Sequence, residues 1–299
     1  MKQSVQAHSE PAQPPLVSPQ ASSVRRLSSV MGVEFSGIDL SAPFPPALLD
    51  SLKAVLVEHC LVVVRDQRLS AADIERFARS FGDIEGNFVK KGDGKVLAAV
   101  HEISNFDVDG KPTGNILFTK SNYGWHTDKA YLPTPSLSTL LYGVEIPSHG
   151  GDTQFANVQS AYDDLDPSMK ARLDGLQVVQ SFAHMLEGIG CPLELVENIP
   201  PPVVHPLVRT HPESGRKSLF VSTYSHSIVG FAQPDARALL DELFAHATQD
   251  KYAYTHHWRP HDLVFWDNRS TLHRAIANYD MARERRVLLR CVVRGSIPH

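Results

Sequence analysis

Short apolar runs alternate with polar turns along most of the chain, and this pattern is typical of a protein built mainly from β-strands. The runs are rich in valine, leucine, threonine and aromatic residues, which suit a pleated, half-buried surface. We predict strands over 61–65, 139–145, 152–156, 176–182, 206–210, 219–223, 263–266 and 286–294. The polar segment 212–217 predicts a hairpin loop between two of these strands.

Helical periodicity is limited to a few segments. Pro45 and Pro46 open one predicted helix, whose leucines and valines recur at core spacing. Ser70 caps a second helix with Asp73 in its first turn, and a third helix is predicted over 234–247. Together the elements predict a mainly β protein with helical additions (α+β). The architecture that suits them is a double-stranded β-helix, or jelly roll.

Composition divides the chain into two parts. Residues 1–24 are rich in serine, proline, glutamine and alanine, and we predict a disordered N-terminal arm there. Residues 25–299 are predicted to form a single domain, because strand patterning continues throughout them. A hydrophobic content of 42% and a charged content of 21% are typical of a globular protein able to bury a core.

Charge, hydropathy and cysteine content narrow the class of partner. The formal net charge is −4 and there is no basic run, which argues against a nucleic-acid partner. No apolar stretch is long enough to span a membrane or to act as a secretory leader. The three cysteines, Cys60, Cys191 and Cys291, have neither disulfide nor metal spacing, so we expect reduced thiols in a cytoplasmic protein. With nucleic acid and membrane disfavoured, we expect the partner to be a small molecule.

The first candidate for chemistry is the sequence Trp125-His126-Thr127-Asp128. In an extended segment, residues two apart lie on the same face, so His126 and Asp128 can bind one metal ion while Thr127 faces away. A single His-x-Asp pair is weak evidence, because one is expected by chance in a chain with 15 histidines. The pair therefore needs a further ligand.

His273 can supply that ligand from a distant part of the sheet. It follows the apolar run 263–266 and a turn-forming Asp-Asn pair, after which the chain resumes as a strand. Two imidazoles and a carboxylate on one side of a metal leave the opposite positions free, which predicts an iron(II) site that binds a substrate and O₂ together. The same ligands with a water also describe catalytic zinc, so a metal-dependent hydrolase remains an alternative.

The last predicted strand carries two arginines on one face. Alternation places Arg286, Leu288 and Arg290 together, with their neighbours on the opposite face. Guanidinium groups among apolar residues need anionic partners if they are buried, and their planar geometry fits a carboxylate. The strand therefore predicts an acidic ligand beside the metal. A half-solvated strand with its basic residues in water is the alternative.

These residues, in this order, resemble the TauD/TfdA group of Fe(II)- and 2-oxoglutarate-dependent dioxygenases. The resemblance extends from about Val30 to the C-terminus. It is carried by Met31-Gly32-Val33-Glu34-Phe35-Ser36-Gly37-Ile38-Asp39-Leu40, Trp125-His126-Thr127-Asp128, Gly150-Gly151-Asp152-Thr153, Trp266-Asp267-Asn268-Arg269 with His273, and the arginine-rich final strand. It implies an enzyme that converts 2-oxoglutarate and O₂ to succinate and CO₂ while hydroxylating a C–H bond of a second substrate.

The resemblance also implies roles for individual residues. His126, Asp128 and His273 match the iron ligands of the family. Thr153 and Arg286 match the pair that holds the distal carboxylate of 2-oxoglutarate. The turn before Arg286 is lengthened by Arg283-Glu284, so Arg285 is the alternative to Arg286.

Substrate contacts follow less directly from the resemblance. Arg290 matches an arginine near the other end of the cosubstrate and close to the anionic group of the substrate, and Asn122 matches a substrate-contacting position. Asn87, Phe88 and Tyr123 are further candidates. The histidine that taurine-oxidising enzymes use on their substrate has no clear counterpart in 84–88, which argues against taurine.

We therefore expect a small anionic substrate of the aryloxyalkanoate, sulfonate or sulfate-ester class, or a biosynthetic intermediate. The resemblance also implies a homo-oligomer, either a dimer or a tetramer. Besides the hydrolase, the other alternative is a non-catalytic ligand-binding β-barrel. The complete set of metal ligands argues against a barrel of that kind.

Overall fold

The computed structural model describes residues 23–91, 94–107, 109–113 and 120–299, with the backbone alone over 87–91 and 94–96. The strands are β1 (Ser23–Arg26), β2 (Val33–Ser36), β3 (Leu61–Val64), β4 (Asn87–Lys91), β5 (Gly94–Ala98), β6 (Val100–Ser104), β7 (Ser136–Glu145), β8 (Thr153–Asn157), β9 (Gln177–Gln180), β10 (Val203–Pro206), β11 (Val208–Thr210), β12 (Lys217–Leu219), β13 (Ser225–Ile228), β14 (Ala253–His256), β15 (Leu263–Asp267), β16 (Thr271–Ala275) and β17 (Val287–Arg294). The α-helices are α1 (Pro46–His59), α2 (Ala71–Arg79), α3 (Val158–Asp163), α4 (Pro167–Leu173), α5 (Phe182–Gly188) and α6 (Gln233–Ala247).

A seven-stranded sheet forms one wall of the fold, in the spatial order β1-β2-β3-β15-β7-β17-β6. Its neighbouring strands are antiparallel except for β2 and β3, which are parallel. A three-stranded sheet, β14-β8-β16, faces it. Phe155 of β8 packs between the sheets against Trp266 of β15 and Leu288 of β17. This pair of packed sheets is the predicted jelly roll.

The helices cover the outer surfaces of the sheets. Leu52 of α1 and Phe77 of α2 pack on the large sheet together with Phe265 of β15. The predicted cap of α2 is present, because the Ser70 hydroxyl accepts from the Asp73 N–H while the Asp73 carboxylate accepts from the Ser70 N–H. This cluster, the outer core, holds α1 and α2 against the outer face of the large sheet. The inner face of the large sheet is left for the site.

Most of the eight predicted strands lie within a few residues of an observed strand, and the exceptions have local causes. The predicted strand 206–210 is interrupted at Leu207, whose N–H donates to the Leu176 carbonyl instead of a ladder partner. The predicted strand 219–223 ends at Leu219, because the Ser222 side chain and backbone bond to the following residues in a turn. The hairpin loop predicted over 212–217 joins β11 to β12, which begins at Lys217.

The N-terminal boundary of the folded chain lies slightly earlier than the sequence predicts. Ser23 and Val24, assigned by composition to the arm, pair with Ser36 and Phe35 in the β1–β2 ladder. The rest of the predicted arm, residues 1–22, lies outside the described residues. Among the described helices, none combines the length and the apolar character that crossing a membrane requires.

Candidate active site

His126 and His273 are brought together by a direct backbone pairing. Each donates its backbone N–H to the carbonyl oxygen of the other, at 3.0 Å from His126 and 2.7 Å from His273. His126 lies in an extended segment rather than a full strand, because the chain turns at Asp128 and Lys129 has a positive φ of 57°. The Thr127 hydroxyl donates in the opposite direction, to the Asn268 carbonyl at 2.7 Å. The local geometry thus directs His126 and Asp128 towards one point.

His126, Asp128 and His273 form a buried cluster with the spacing of a metal site. One ligand atom of each lies within 4.8 Å of the others. The Nδ1 of His126 lies 2.8 Å from the Gly124 carbonyl, and that acceptor places the proton on Nδ1 and leaves the lone pair of Nε2 free. This hydrogen bond from the non-ligating nitrogen is the usual support of a metal-binding histidine. The donor set therefore fits a divalent metal with open coordination positions.

The charges in the cluster favour the forms that bind a metal. Burial raises the pKa of Asp128, but the Arg290 guanidinium, 2.6 Å away, and the two histidines outweigh it and lower that pKa. Burial lowers the pKa of both His126 and His273. A carboxylate beside two neutral imidazoles needs to lose no proton before it binds a metal ion.

Asp128 is fixed by a chain of buried hydrogen bonds. The Thr139 hydroxyl donates to the Asp128 carboxylate at 2.5 Å, and the Asn268 amide donates to the Thr139 oxygen at 3.0 Å. The Trp266 indole N–H donates to the Asn268 side-chain oxygen at 3.0 Å. The Trp-Asp-Asn-Arg motif at 266–269 therefore lies directly behind the candidate metal ligands.

Arg286 enters the same cavity from the start of β17. Its Nε donates to the Gly151 carbonyl at 2.7 Å, and its terminal nitrogen donates to the Thr153 hydroxyl at 3.2 Å. The Trp258 indole N–H also donates to the Thr153 hydroxyl oxygen, at 3.0 Å. Arg285, by contrast, lies partly in solvent and pairs with Glu145 at 3.0 Å.

A cavity of about 330 Å³ joins these groups. Its polar wall includes the three candidate metal ligands, Thr153, Arg286 and Arg290, and Asn122 lies at the same cavity. Its apolar wall includes Tyr131, Phe182, Met185 and Tyr224, and Tyr224 packs edge-on against His126. The metal cluster and the arginine face that the sequence predicts separately thus share one chamber.

The structure does not place the three further predicted substrate contacts, Tyr123, Asn87 and Phe88, on the wall of the main cavity. Tyr123 borders a small cavity that adjoins the main one and shares Asn122 and Arg286 with it, and its hydroxyl donates to the Met281 sulfur at 3.0 Å. Asn87 and Phe88 are on β4, and their side chains are outside the described part of the structure. Of the predicted substrate contacts, Asn122 and Arg290 line the main cavity.

Several cavity residues were not predicted from the sequence. His101 and Lys129 line the polar wall, and Phe182 lines the apolar wall. His101 belongs to no motif, and its pairing with Arg290 across β6 and β17 is visible only in the fold. Lys129 directly follows a candidate ligand, and that adjacency was the one available signal.

Comparisons with known proteins identify the family of the chain. The chain matches the family model "Taurine catabolism dioxygenase TauD, TfdA family" over residues 23–292. It is 35% identical to the alpha-ketoglutarate-dependent 2,4-dichlorophenoxyacetate dioxygenase of Burkholderia sp. strain RASC, over 84% of this chain and 88% of that protein. It is 32% identical to the (S)-phenoxypropionate/alpha-ketoglutarate-dioxygenase of Sphingobium herbicidovorans, over 87% of this chain and 90% of that protein.

A solved structure gives the same result. The crystal structure of AAD-2 in complex with Mn(II) and N-oxalylglycine matches with a TM-score of 0.82 and 32% identity, over 92% of this chain and 98% of that chain. The fold and site define an alpha-ketoglutarate-dependent dioxygenase, in which alpha-ketoglutarate is 2-oxoglutarate. The chain belongs to the TauD/TfdA family of these enzymes. This membership favours the dioxygenase over the hydrolase and the binding barrel that the ligand set alone left open.

Proposed function

We propose that this protein is an Fe(II)-dependent enzyme that uses 2-oxoglutarate and O₂ to hydroxylate a C–H bond of a small anionic organic compound. The observation that carries the proposal is one cavity containing both a buried His-Asp-His cluster and the Arg286–Thr153 pair. Hydrolysis at the same ligands would need no second site for a dicarboxylic acid. The two sites together support the oxidation.

Iron would be held by His126, Asp128 and His273. Two nitrogen ligands and one carboxylate oxygen on one side suit Fe(II), which supplies the coordination positions and the redox chemistry for O₂ activation when bound. The protein keeps Asp128 ionised through Arg290 and orients it through Thr139. Burial of all three ligands also limits the access of water to the reacting groups.

2-Oxoglutarate would be held at its distal carboxylate by Arg286 and Thr153. The Gly151 carbonyl fixes Nε of Arg286, so the remaining guanidinium N–H groups can face the ligand in a set direction. Trp258 donates to the Thr153 oxygen, which leaves the Thr153 proton free to donate to a carboxylate. The Arg285 side chain is half-exposed and pairs with Glu145, so Arg286 is better placed for this role.

The primary substrate would place its anionic group near Arg290 and Asn122 and its body against the apolar wall. Tyr131 and Tyr224 pack against each other with ring centroids 4.9 Å apart and ring planes tilted by 60°, and they present an aromatic surface beside His126. The names of the relatives point to 2,4-dichlorophenoxyacetate and (S)-phenoxypropionate, and another relative is an alkylsulfatase. Aryloxyalkanoates, alkyl sulfate esters and sulfonates are accordingly the proposed classes.

Location and assembly are part of the same proposal. Cys60, Cys191 and Cys291 are all buried and unpaired, which supports a reducing, cytoplasmic location. A homo-oligomer, dimer or tetramer, follows from the family resemblance and is tested by light scattering of the purified protein.

The proposal is tested by measuring succinate formation with Fe(II), 2-oxoglutarate and air across a panel of aryloxyalkanoates, sulfonates and sulfate esters. We expect one class to increase succinate release in wild-type protein and none to do so in His126→Ala. Substrate conversion that continues without 2-oxoglutarate and O₂ would contradict the proposal and favour a hydrolase.

A further inference from the structure

The cavity has two polar ends. Arg286 immediately precedes β17 and Arg290 lies within it on the same face, so the two are separated by about 13 Å along the strand at the usual rise per residue. Leu288 lies between them and pairs with Ile103 of β6, while Arg290 pairs with His101. The Arg286 end meets Thr153, whereas the Arg290 end meets the candidate metal ligand Asp128.

Lys129 adds a second cation to the Arg290 end. Its backbone has a φ of 57°, which is unfavourable for a residue with a side chain and recurs at functional sites. This conformation directs Lys129 to an ion pair with Glu85, and the side chain also lines the cavity. Glu85 is itself buried and accepts from the Ser136 hydroxyl at 3.3 Å, so the ion pair is anchored. An ammonium group has three N–H donors, so Lys129 can bind Glu85 and a ligand together.

His101 adds a neutral donor to the same end. Its Nδ1 is buried and has no hydrogen-bond partner among the described residues, so a molecule in the cavity can reach only Nε2. Burial, together with the nearby Arg290 and Lys129, lowers the pKa of His101 to about 4, so the ring is neutral near pH 7. A proton on the buried Nδ1 would lack an acceptor, which favours the tautomer that carries its proton on Nε2.

The charged groups in and around the loaded cavity form balanced pairs. The charges of Fe(II) and of 2-oxoglutarate cancel when both are bound. Asp128 is balanced by Arg290, and Glu85 is balanced by Lys129. Arg286 has the buried carboxylate of Asp152 nearby. A substrate anion would therefore be bound through directed N–H donors rather than through an excess of positive charge.

We infer that Lys129 and His101 form, together with Arg290, the subsite that binds the anionic group of the primary substrate. Lys129 supplies charge, and His101 supplies a directed N–H from Nε2. The apolar wall of Tyr131 and Tyr224 receives the body of the same molecule. The substrate class is then a small anionic compound, such as a carboxylate, a sulfonate or a sulfate monoester, with an aryl or alkyl body. This inference rests on the proposed function and adds two residues that determine specificity.

The test measures binding rather than turnover. Wild-type protein is loaded with Mn(II) and N-oxalylglycine, the pair present in the AAD-2 structure. The dissociation constants of 2,4-dichlorophenoxyacetate, hexyl sulfate and hexanesulfonate are then measured by calorimetry. Lys129→Met and His101→Phe should each weaken the best-bound acid about tenfold to a hundredfold, as expected for a lost hydrogen bond to a charged group.

Two controls separate specific effects from structural ones. His101→Gln should retain most of the affinity, because a glutamine amide can place an N–H where Nε2 lies. Lys251→Met should have no effect, since Lys251 pairs with Asp164 on the surface. The neutral amide of the tightest-binding acid should bind wild type and Lys129→Met equally.

Unchanged acid affinity in both Lys129→Met and His101→Phe would overturn the inference, as would failure of wild-type protein to bind any of the three acids. The affinity for N-oxalylglycine alone, measured first, distinguishes this result from a failure of the proposed function. If N-oxalylglycine does not bind wild type, the cosubstrate assignment fails, and the acids are then compared in the same variants without it.

Discussion

The side-chain amide of Asn268 donates to the hydroxyl oxygen of Thr139 at 3.0 Å, and this contact connects the turn before β16 to the middle strands of the large sheet. Thr139 then has its own proton available for Asp128, to which it donates at 2.5 Å. Both residues are fully buried, so the contact is protected from water. The orientation of the candidate metal-binding carboxylate is therefore set by residues that do not touch the metal position.

Replacement of Thr139 by valine should weaken metal binding. The change keeps the shape of the side chain but removes the donor to Asp128, and loss of such a supporting contact typically lowers metal affinity about tenfold to a hundredfold. Titration of Mn(II) followed by electron paramagnetic resonance measures the effect. Thr255→Val is the matched control, because the Thr255 hydroxyl accepts from the Gln154 side chain of β8 in the small sheet, at 3.2 Å. Equal metal affinity in the two variants would contradict a role for Thr139 in metal binding.

Replacement of Arg286 by glutamine should weaken 2-oxoglutarate binding and leave metal binding nearly unchanged. Loss of a charge-assisted contact costs about 1.5 to 3 kcal/mol, or roughly tenfold to a hundredfold in affinity. Arg285→Gln is the control, since Arg285 is half-exposed and pairs with Glu145 at the surface. Calorimetry with Mn(II)-loaded protein measures the dissociation constant of 2-oxoglutarate in both variants. A larger loss in Arg285→Gln than in Arg286→Gln would transfer the cosubstrate contact to Arg285.

Replacement of Asp267 by asparagine should destabilise the fold. Asp267 is fully buried between His211, at 3.0 Å, and Arg269, at 2.7 Å. Removing one member of such a buried pair typically costs about 3 to 5 kcal/mol of unfolding free energy. Urea unfolding measures the change in the free energy of unfolding. Asp163→Asn is the control, because Asp163 is exposed and pairs with Arg216 at the surface. The control should change stability by about 1 kcal/mol or less.

The same residue makes a prediction for pH dependence. Burial raises the pKa of Asp267, but His211 and Arg269 outweigh it and lower that pKa well below its usual value. The stabilisation is therefore complete above the unfolded pKa of about 3.9 and is lost as the pH falls from there towards the folded value. Wild-type protein should lose stability below about pH 4 more steeply than Asp267→Asn. Parallel acid profiles of the two proteins would argue against this role.

The features that the sequence predicts well are local ones. The two-residue spacing of His126 and Asp128 and the strand-turn-strand around His273 are set by neighbouring residues, and both reappear in the structure. Alternation on β17 correctly separates Leu288 and Arg290, which line the cavity, from Cys291, which packs in the outer core. Such periodic features need no knowledge of distant partners.

The features that the sequence does not predict depend on pairs of residues far apart in the chain. The position of the Lys129 side chain depends on its ion pair with Glu85. The position of His101 depends on the strand register that places it opposite Arg290. Tyr123 is a further case, because its hydroxyl contacts Met281, which lies 158 residues later in the chain. Neither spacing nor composition contains this information, which arises when the sheets close on each other.

The most direct test of the central claim is incubation of the Fe(II)-loaded protein with 2-oxoglutarate and the best panel substrate under ¹⁸O₂. A dioxygenase that uses the His126, Asp128 and His273 site places one oxygen atom of O₂ in succinate and the other in the oxidised substrate. We predict one ¹⁸O atom in the succinate, formed in step with the product and absent from His126→Ala. Product that carries oxygen from water only, with no succinate formed, would contradict the account.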